Sequence, residues 1–227
     1  MGRASDETLG KCRDSNKMYS THSRERVFQL CRMKKDSSRR AVVFLHSMTP
    51  EEHETWARAL SRFRAEKDEF FRTDHRSPLN GTAEGFHPLN YFDPDPLFRS
   101  ESKIHRYANP EAVVVSTSKG TRQLFNRVGY FDLTVGGALV RIHAYQSAER
   151  DDPSLFLPFR DATSGKESYG AARYLDMEVE HNDEYAVDFN YAYNPYCAYS
   201  EDYVCPLPPH ENWLSAAIRA GEKKYHE

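Results

Sequence analysis

The chain has 227 residues with 39% apolar and 29% charged side chains, enough for one domain with an appendage. Its net charge of -3 divides unevenly. Residues 1–47 hold 11 Lys/Arg against 5 Asp/Glu, a balance of +6, and the remainder holds 20 against 29, a balance of -9. A domain that acidic repels a phosphate backbone, so nucleic acid is not an expected partner.

The longest apolar run near the N-terminus, Ala41-Val-Val-Phe-Leu45, is far shorter than the roughly 18 residues of a membrane span. It is also shorter than the roughly 7–15 residues of a signal-peptide core, so the expected compartment is cytoplasmic with no membrane partner. Residues 1–47 are basic, Ser-rich and without sustained period, and they read as a tail that is disordered or not translated. Residues 48–227 read as the single domain. Thr49, Pro50 and Glu52 form a helix start: a cap, a proline at the first helical position and the second half of a capping box. The helix is expected from Pro50 to about Arg72, with Trp56, Leu60, Phe63 and Phe70 on its buried face.

A Pro-, Gly- and Asn-rich stretch follows, and then strands. Ala112–Thr117 and Arg122–Arg127 are strand-like. Val128–Val135 and Ala138–Tyr145 flank Gly136-Gly137, which predicts a two-residue hairpin turn. That register puts Val135, Ala138, Leu133, Val140, Phe131, Ile142, Gly129 and Ala144 on one apolar face. It sets Asp132 opposite Arg141 and Tyr130 opposite His143 on the other. No alternation of strands with long helical stretches argues for a parallel sheet. A second hairpin is expected from Arg173–Glu180 and Tyr185–Tyr193 around His181-Asn-Asp-Glu184. A final helix is expected from Pro209 to Ala220, burying Trp213, Leu214, Ala217 and Ile218 and ending at Gly221. The fold class is therefore mainly β: an antiparallel barrel or sandwich with an N-terminal and a C-terminal helix packed on it.

The last third carries the most specific vocabulary. Leu155-Phe-Leu-Pro-Phe-Arg-Asp161 is followed by Asp188-Phe-Asn-Tyr-Ala-Tyr-Asn-Pro-Tyr-Cys-Ala-Tyr-Ser200 and Cys205-Pro-Leu-Pro-Pro209. Weaker phrases precede it, among them Lys67-Asp-Glu-Phe-Phe71, Ser77-Pro-Leu79 and Tyr91-Phe-Asp-Pro-Asp-Pro96. Together they resemble the domain-of-unknown-function 1684 family over about residues 56–225. That resemblance implies no particular reaction.

Two registers are open for the second hairpin. With a four-residue loop, Arg173, Asp188 and Asn190 enter an apolar face where the guanidinium and the carboxylate meet, as in a ligand pocket. With an odd loop, Val187, Phe189 and Tyr191 turn inward and Asp188 and Asn190 face water. The resemblance favours the pocket, because Asp188 and Asn190 lie inside its most specific phrase. The expected ligand-binding residues are then Arg173, Asp188, Asn190, Tyr169 and Asn194, and the expected partner is a small molecule.

An enzyme reading uses Cys197 with His210 or His143 as base, or an Asp161/Asp188 carboxylate pair. A third reading is a packed interaction module without a ligand. Seven residues separate Cys197 from Cys205, unlike the spacing of zinc pairs, so both read as reduced structural thiols. Ser164-Gly165-Lys166 lacks the flanking glycines of a phosphate loop. No metal and no cofactor is expected.

Overall fold

A computed structural model describes residues 48–80, 86–149 and 154–225. The expected tail of residues 1–47 lies outside them.

Helix α1 (Pro50–Thr73) begins as its sequence dictates. The Thr49 hydroxyl accepts from the Glu52 backbone N–H at 3.2 Å, and the Thr49 N–H donates to the Glu52 carboxylate at 2.7 Å. Trp56, Leu60 and Phe71 are buried, whereas Phe63 and Phe70 are only partly covered. The inward face is also polar. Arg64 donates to the Phe92 carbonyl, Asp68 accepts from the Leu89 N–H, and Lys67 reaches Glu222.

Seven strands follow among the described residues: β1 (Arg99–Lys103), β2 (His105–Ser116), β3 (Arg122–Val135), β4 (Ala138–Ser147), β5 (Leu155–Phe159), β6 (Arg173–Met177) and β7 (Glu184–Asp188). Every strand pairing is antiparallel. β2 to β6 form one five-stranded sheet in sequence order, and β1 pairs with β7 in a separate two-stranded sheet. The β3–β4 hairpin has the expected register: Val135 faces Ala138, Leu133 faces Val140, Phe131 faces Ile142 and Gly129 faces Ala144. Gly136 and Gly137 take φ of +54° and +79°, as a tight two-residue turn requires. On the outer face Arg141 grips the Asp132 carboxylate at 2.8 and 2.9 Å.

The core lies between the inner face of the large sheet and the β1–β7 pair. It joins Phe131, Leu133, Ile142, Leu155, Leu157 and Phe159 to Val187, Phe189 and Ile218.

Three expectations are corrected. The large sheet is open, with β2 and β6 at its edges, so there is no closed barrel. β6 and β7 do not form a hairpin. β6 pairs with β5, Arg173 opposite Phe159 and Leu175 opposite Leu157, and β7 pairs with β1, Asp188 opposite Arg99. The Leu155–Phe159 run, almost wholly buried, supplies β6 with a fully apolar neighbour that a polar hairpin mate would not. β7 then ends at Asp188, where the chain turns into a single 3-10 turn, Phe189–Tyr191.

The C-terminal helix is also absent. Only a 3-10 turn, His210–Asn212, forms there. Beyond it the chain runs extended beside residues 160–162. The Leu214 N–H donates to the Arg160 carbonyl, the Ala162 N–H to the Ala216 carbonyl, and the Ile218 N–H to the Asp161 carboxylate. Those groups are satisfied by a neighbouring segment rather than by a carbonyl four residues back, which removes the drive to coil. Leu214 and Ile218 are still buried, but Trp213 is half exposed.

Candidate functional site

The buried polar residues of the C-terminal phrases sort into three networks, the first and third of which touch where Arg173 donates to the Glu222 backbone carbonyl at 3.3 Å. In the first, Arg173 and Asp161 are almost completely buried and lie 3.2 Å apart. The Arg173 guanidinium also donates to the carbonyls of Ile218 at 2.7 Å and Ala220 at 2.5 Å. The Asp161 carboxylate accepts from the Thr163 N–H and hydroxyl, the Ser164 hydroxyl and the Ile218 N–H. This charge pair is spent on holding the extended C-terminal segment against the loop after β5.

The second network surrounds Asp188. Its carboxylate accepts the indole N–H of Trp56 at 2.7 Å and caps the following turn through the Asn190 N–H at 2.9 Å and side-chain amide at 2.8 Å. Asn190 in turn bridges to the backbone N–H and carbonyl of Asp95. Neither register expected from the sequence describes this arrangement. Val187 and Phe189 point into the core, as the odd loop implies, and Tyr191 is partly buried against it. Yet Asp188 and Asn190 are buried as well, because α1 covers the side that the strand alone would leave in water. The polar partner of Asp188 is Trp56, and that of Arg173 is Asp161.

The third network was not read from the sequence. Glu222, 1% exposed, receives the Lys67 ammonium at 2.5 Å, the Asn194 N–H at 2.7 Å and the Tyr199 hydroxyl at 2.5 Å. The Asn194 side-chain amide donates to the Lys223 carbonyl. Burial and the Glu222 charge push the Tyr199 hydroxyl pKa well above its ordinary value, so it stays protonated and donates. Lys67 stood in a phrase of the family resemblance, which was the available signal; Glu222, in an ordinary-looking tail, had none.

Around Lys67 the structure opens. A cleft of about 780 Å³ lies on the outer face of the large sheet, between α1 and residues 193–206. Its walls are aromatic: Phe70, Phe125, Phe156, Tyr174, Tyr193, Tyr196 and Tyr203 among others. Several are fixed edge to face, with Phe156 and Tyr174 ring centroids 4.8 Å apart and Tyr174 and Tyr193 5.7 Å apart. The Lys67 ammonium sits 4.9 Å from the Tyr193 ring centroid. Tyr193 donates a short hydrogen bond to Asp176, also on the cleft wall. Burial and that carboxylate raise the Tyr193 pKa, so it too remains a neutral donor. Among the described residues, the charged groups lining the cleft are Lys67, Asp176 and Glu149. Glu222 pairs with Lys67 from behind.

None of Arg173, Asp188, Asn190, Tyr169 and Asn194 lines this cleft. The carboxylates of Asp161 and Asp188 belong to different networks and share no hydrogen-bond partner among the described residues. The bases proposed for Cys197 are engaged elsewhere: His143 with the Tyr107 hydroxyl at 3.0 Å, and His210 against the Trp213 ring. Cys197 instead neighbours Tyr169, whose hydroxyl lies 3.8 Å from its sulfur, and Cys205. Among the described residues no group of three or more His, Cys, Asp or Glu is placed to hold a metal ion. No described helix is long and apolar enough to cross a membrane.

The fold and cleft thus define, among the described residues, a mainly antiparallel β domain with a helix packed against residues 188–199 and Glu222 and an aromatic cleft beside it. Residues 84–223 match the family model described as "Protein of unknown function (DUF1684)", and the chain belongs to that family. It is similar to an uncharacterized protein from gene locus rrnAC0354 of Haloarcula marismortui, whose solution NMR structure superposes with a TM-score of 0.61 at 38% identity. The match covers 79% of this chain and 100% of that one. No curated protein matches the chain.

Proposed function

We propose that this domain binds a small organic cation: a molecule with a planar apolar body and an amine, held in the aromatic cleft. The observation that carries the reading is the cleft itself, aromatic on several sides and acidic in net lining. Its volume falls in the range of about 300–1,000 Å³ of small-molecule sites, and a few polar groups converge among apolar walls as such sites require. Aromatic faces attract cations, and each such contact is worth about 0.5–2 kcal/mol, more as water is excluded. Asp176 supplies the opposite charge, oriented by Tyr193. An anionic ligand is disfavoured, because the cation at the cleft floor, Lys67, already has Glu222.

The test is equilibrium dialysis of the purified full chain against matched sets of arylalkyl compounds: amines, the corresponding neutral alcohols and the corresponding carboxylic acids. The amines are expected to bind at least about tenfold more tightly than the alcohols, a difference of about 1.4 kcal/mol. Asp176→Asn is expected to erase that preference. Equal binding of all three sets, or binding of the acids alone, would overturn the assignment.

A further inference from the structure

We propose that Cys197 and Cys205 form a reversible dithiol–disulfide couple, in which Cys197 attacks and Cys205 resolves. Both thiols are free. The Cys197 backbone N–H points at the Cys205 sulfur, with N and S 3.4 Å apart. Since N is one bond of about 1.46 Å from Cα, that sulfur lies within about 4.9 Å of Cys197 Cα. This is compatible with closing a disulfide bond of about 2.05 Å by rotation about the side-chain torsions.

Both ends of the intervening loop are held in place. The Cys205 N–H donates to the Ser118 hydroxyl at 3.1 Å, and the Ser118 N–H returns a bond to the Cys205 carbonyl at 2.8 Å. At the other end the Tyr169 hydroxyl bonds the Cys197 carbonyl at 3.4 Å.

The two thiols are not equivalent. Cys205 is buried at 7% exposure beside Ala172 and Tyr174, whereas Cys197 is only partly covered. Hydrogen bonds from Cys205, Tyr169 and Ser118 converge on Cys197 and draw its pKa down to about 6 against the opposing effect of burial. The same shared proton and its burial push the Cys205 thiol up. The less buried residue is thus the one on which the thiolate is favoured, and thiolates are the attacking species.

The reaction balances with a low-molecular-weight disulfide as oxidant. The Cys197 thiolate attacks one sulfur of the reagent, whose S–S bond breaks and expels a small thiolate, leaving a mixed disulfide on Cys197. Cys205 then gives its proton to solvent and attacks the Cys197 sulfur, and the mixed S–S bond breaks to release the second small thiolate. Two protein thiols are oxidised and one disulfide is reduced to two thiols. The couple does not depend on the ligand reading of the cleft, although Cys205 lines its wall.

The experiment uses the full chain with Cys12→Ser and Cys31→Ser, so that only this pair remains. The protein is treated with glutathione disulfide at neutral pH, alkylated with iodoacetamide and digested with trypsin. No Lys or Arg lies between Arg173 and Arg219, so both cysteines fall in one peptide. The expected product is that peptide lighter by two hydrogens and closed to alkylation. Without oxidant, Cys197 is expected to label at least about tenfold faster than Cys205, following their thiolate populations. Cys205→Ser should stop at a persistent glutathione adduct on Cys197, and Cys197→Ser should leave Cys205 unmodified. A persistent adduct on the protein retaining both thiols, no oxidation at all, or faster labelling of Cys205 would overturn the proposal. These three outcomes are read on the protein that retains both thiols, so none depends on a variant folding.

Discussion

Lys67 and Glu222, 155 positions apart, meet as a buried ion pair that ties the N-terminal helix to the end of the chain. The Glu222 carboxylate also holds the Asn194 N–H and the Tyr199 hydroxyl, so one side chain joins three segments. Breaking a buried pair from one side costs about 3–5 kcal/mol, because the remaining charge is left uncompensated. Glu222→Gln is expected to lose stability toward the lower end of that range, since Lys67 keeps partial access to solvent through the cleft. Lys67→Met in the same chain should recover part of the loss, giving a coupling energy measurable by a double-mutant cycle in urea. Strict additivity of the two single changes would show that the pair carries no mutual stabilisation.

Arg173→Ala is expected to be the more damaging change, about 3–5 kcal/mol, because Asp161 then stays buried without its cation and three carbonyls of the C-terminal segment lose their donor. Arg173→Lys should recover only a fraction. An ammonium can offset the charge of Asp161 but lacks the planar fork that reaches the Ile218 and Ala220 carbonyls together. Chemical denaturation of the three proteins checks the order. A lysine variant as stable as the parent would mean that charge alone matters there.

Gly221 takes φ of +74°, and a Cβ built on it would meet the Ala192 carbonyl oxygen at 2.4 Å and the Phe189 carbonyl oxygen at 2.8 Å. Both obstacles are backbone, held by the turn that Asp188 caps, so neither yields by a rotamer change. Gly221→Ala combines left-handed backbone strain with overpacking, for an expected loss of about 2–5 kcal/mol. Thermal unfolding decides it, and a change within about 0.5 kcal/mol, the range of a neutral surface substitution, would contradict the packing described here.

The parts of this fold legible in the sequence are those governed by neighbours in the chain. The cap at Thr49 and the Gly136-Gly137 hairpin depend on residues a few positions apart, and both form as read. The sequence marks the β6 strand but not its partner. Arg173–Met177 alternates too weakly to say which strand lies beside it, and the all-apolar Leu155–Phe159 segment wins the pairing. The C-terminal helix failed for a related reason. Trp213, Leu214, Ala217 and Ile218 fit helical spacing, but the Asn212 side chain binds the carbonyls of His143 and Pro158 and fixes the segment in an extended path. The same holds for the polar groups. Asp188, Asn190 and Arg173 are polar residues that are costly to bury, and all three are buried. The helix that satisfies Asp188 and the tail that satisfies Arg173 are 132 and 45 or more positions away, and no local pattern encodes them.

A last prediction concerns pH. Burial, and then the positive charge of Arg127, lowers the pKa of His143, and the Glu211 carboxylate only partly offsets this. The Tyr107 hydroxyl lies 3.0 Å from its Nδ1, a bond whose direction follows the protonation of the ring. The folded state therefore resists the proton that the unfolded chain accepts near its ordinary pKa of about 6.5. Because the unfolded state binds more protons in this window, stability rises with pH there. The contribution of His143 is full above that pKa and is lost as pH falls from it toward the lower folded value. His143→Gln keeps a polar side chain that does not titrate. It should be less stable than the parent at pH 8, through the weakened Tyr107 contact, but should lose less between pH 7 and pH 5. Melting temperatures measured in parallel across that interval test the sign: a parent and variant that fall by the same amount would show that His143 is not among the groups that titrate on unfolding.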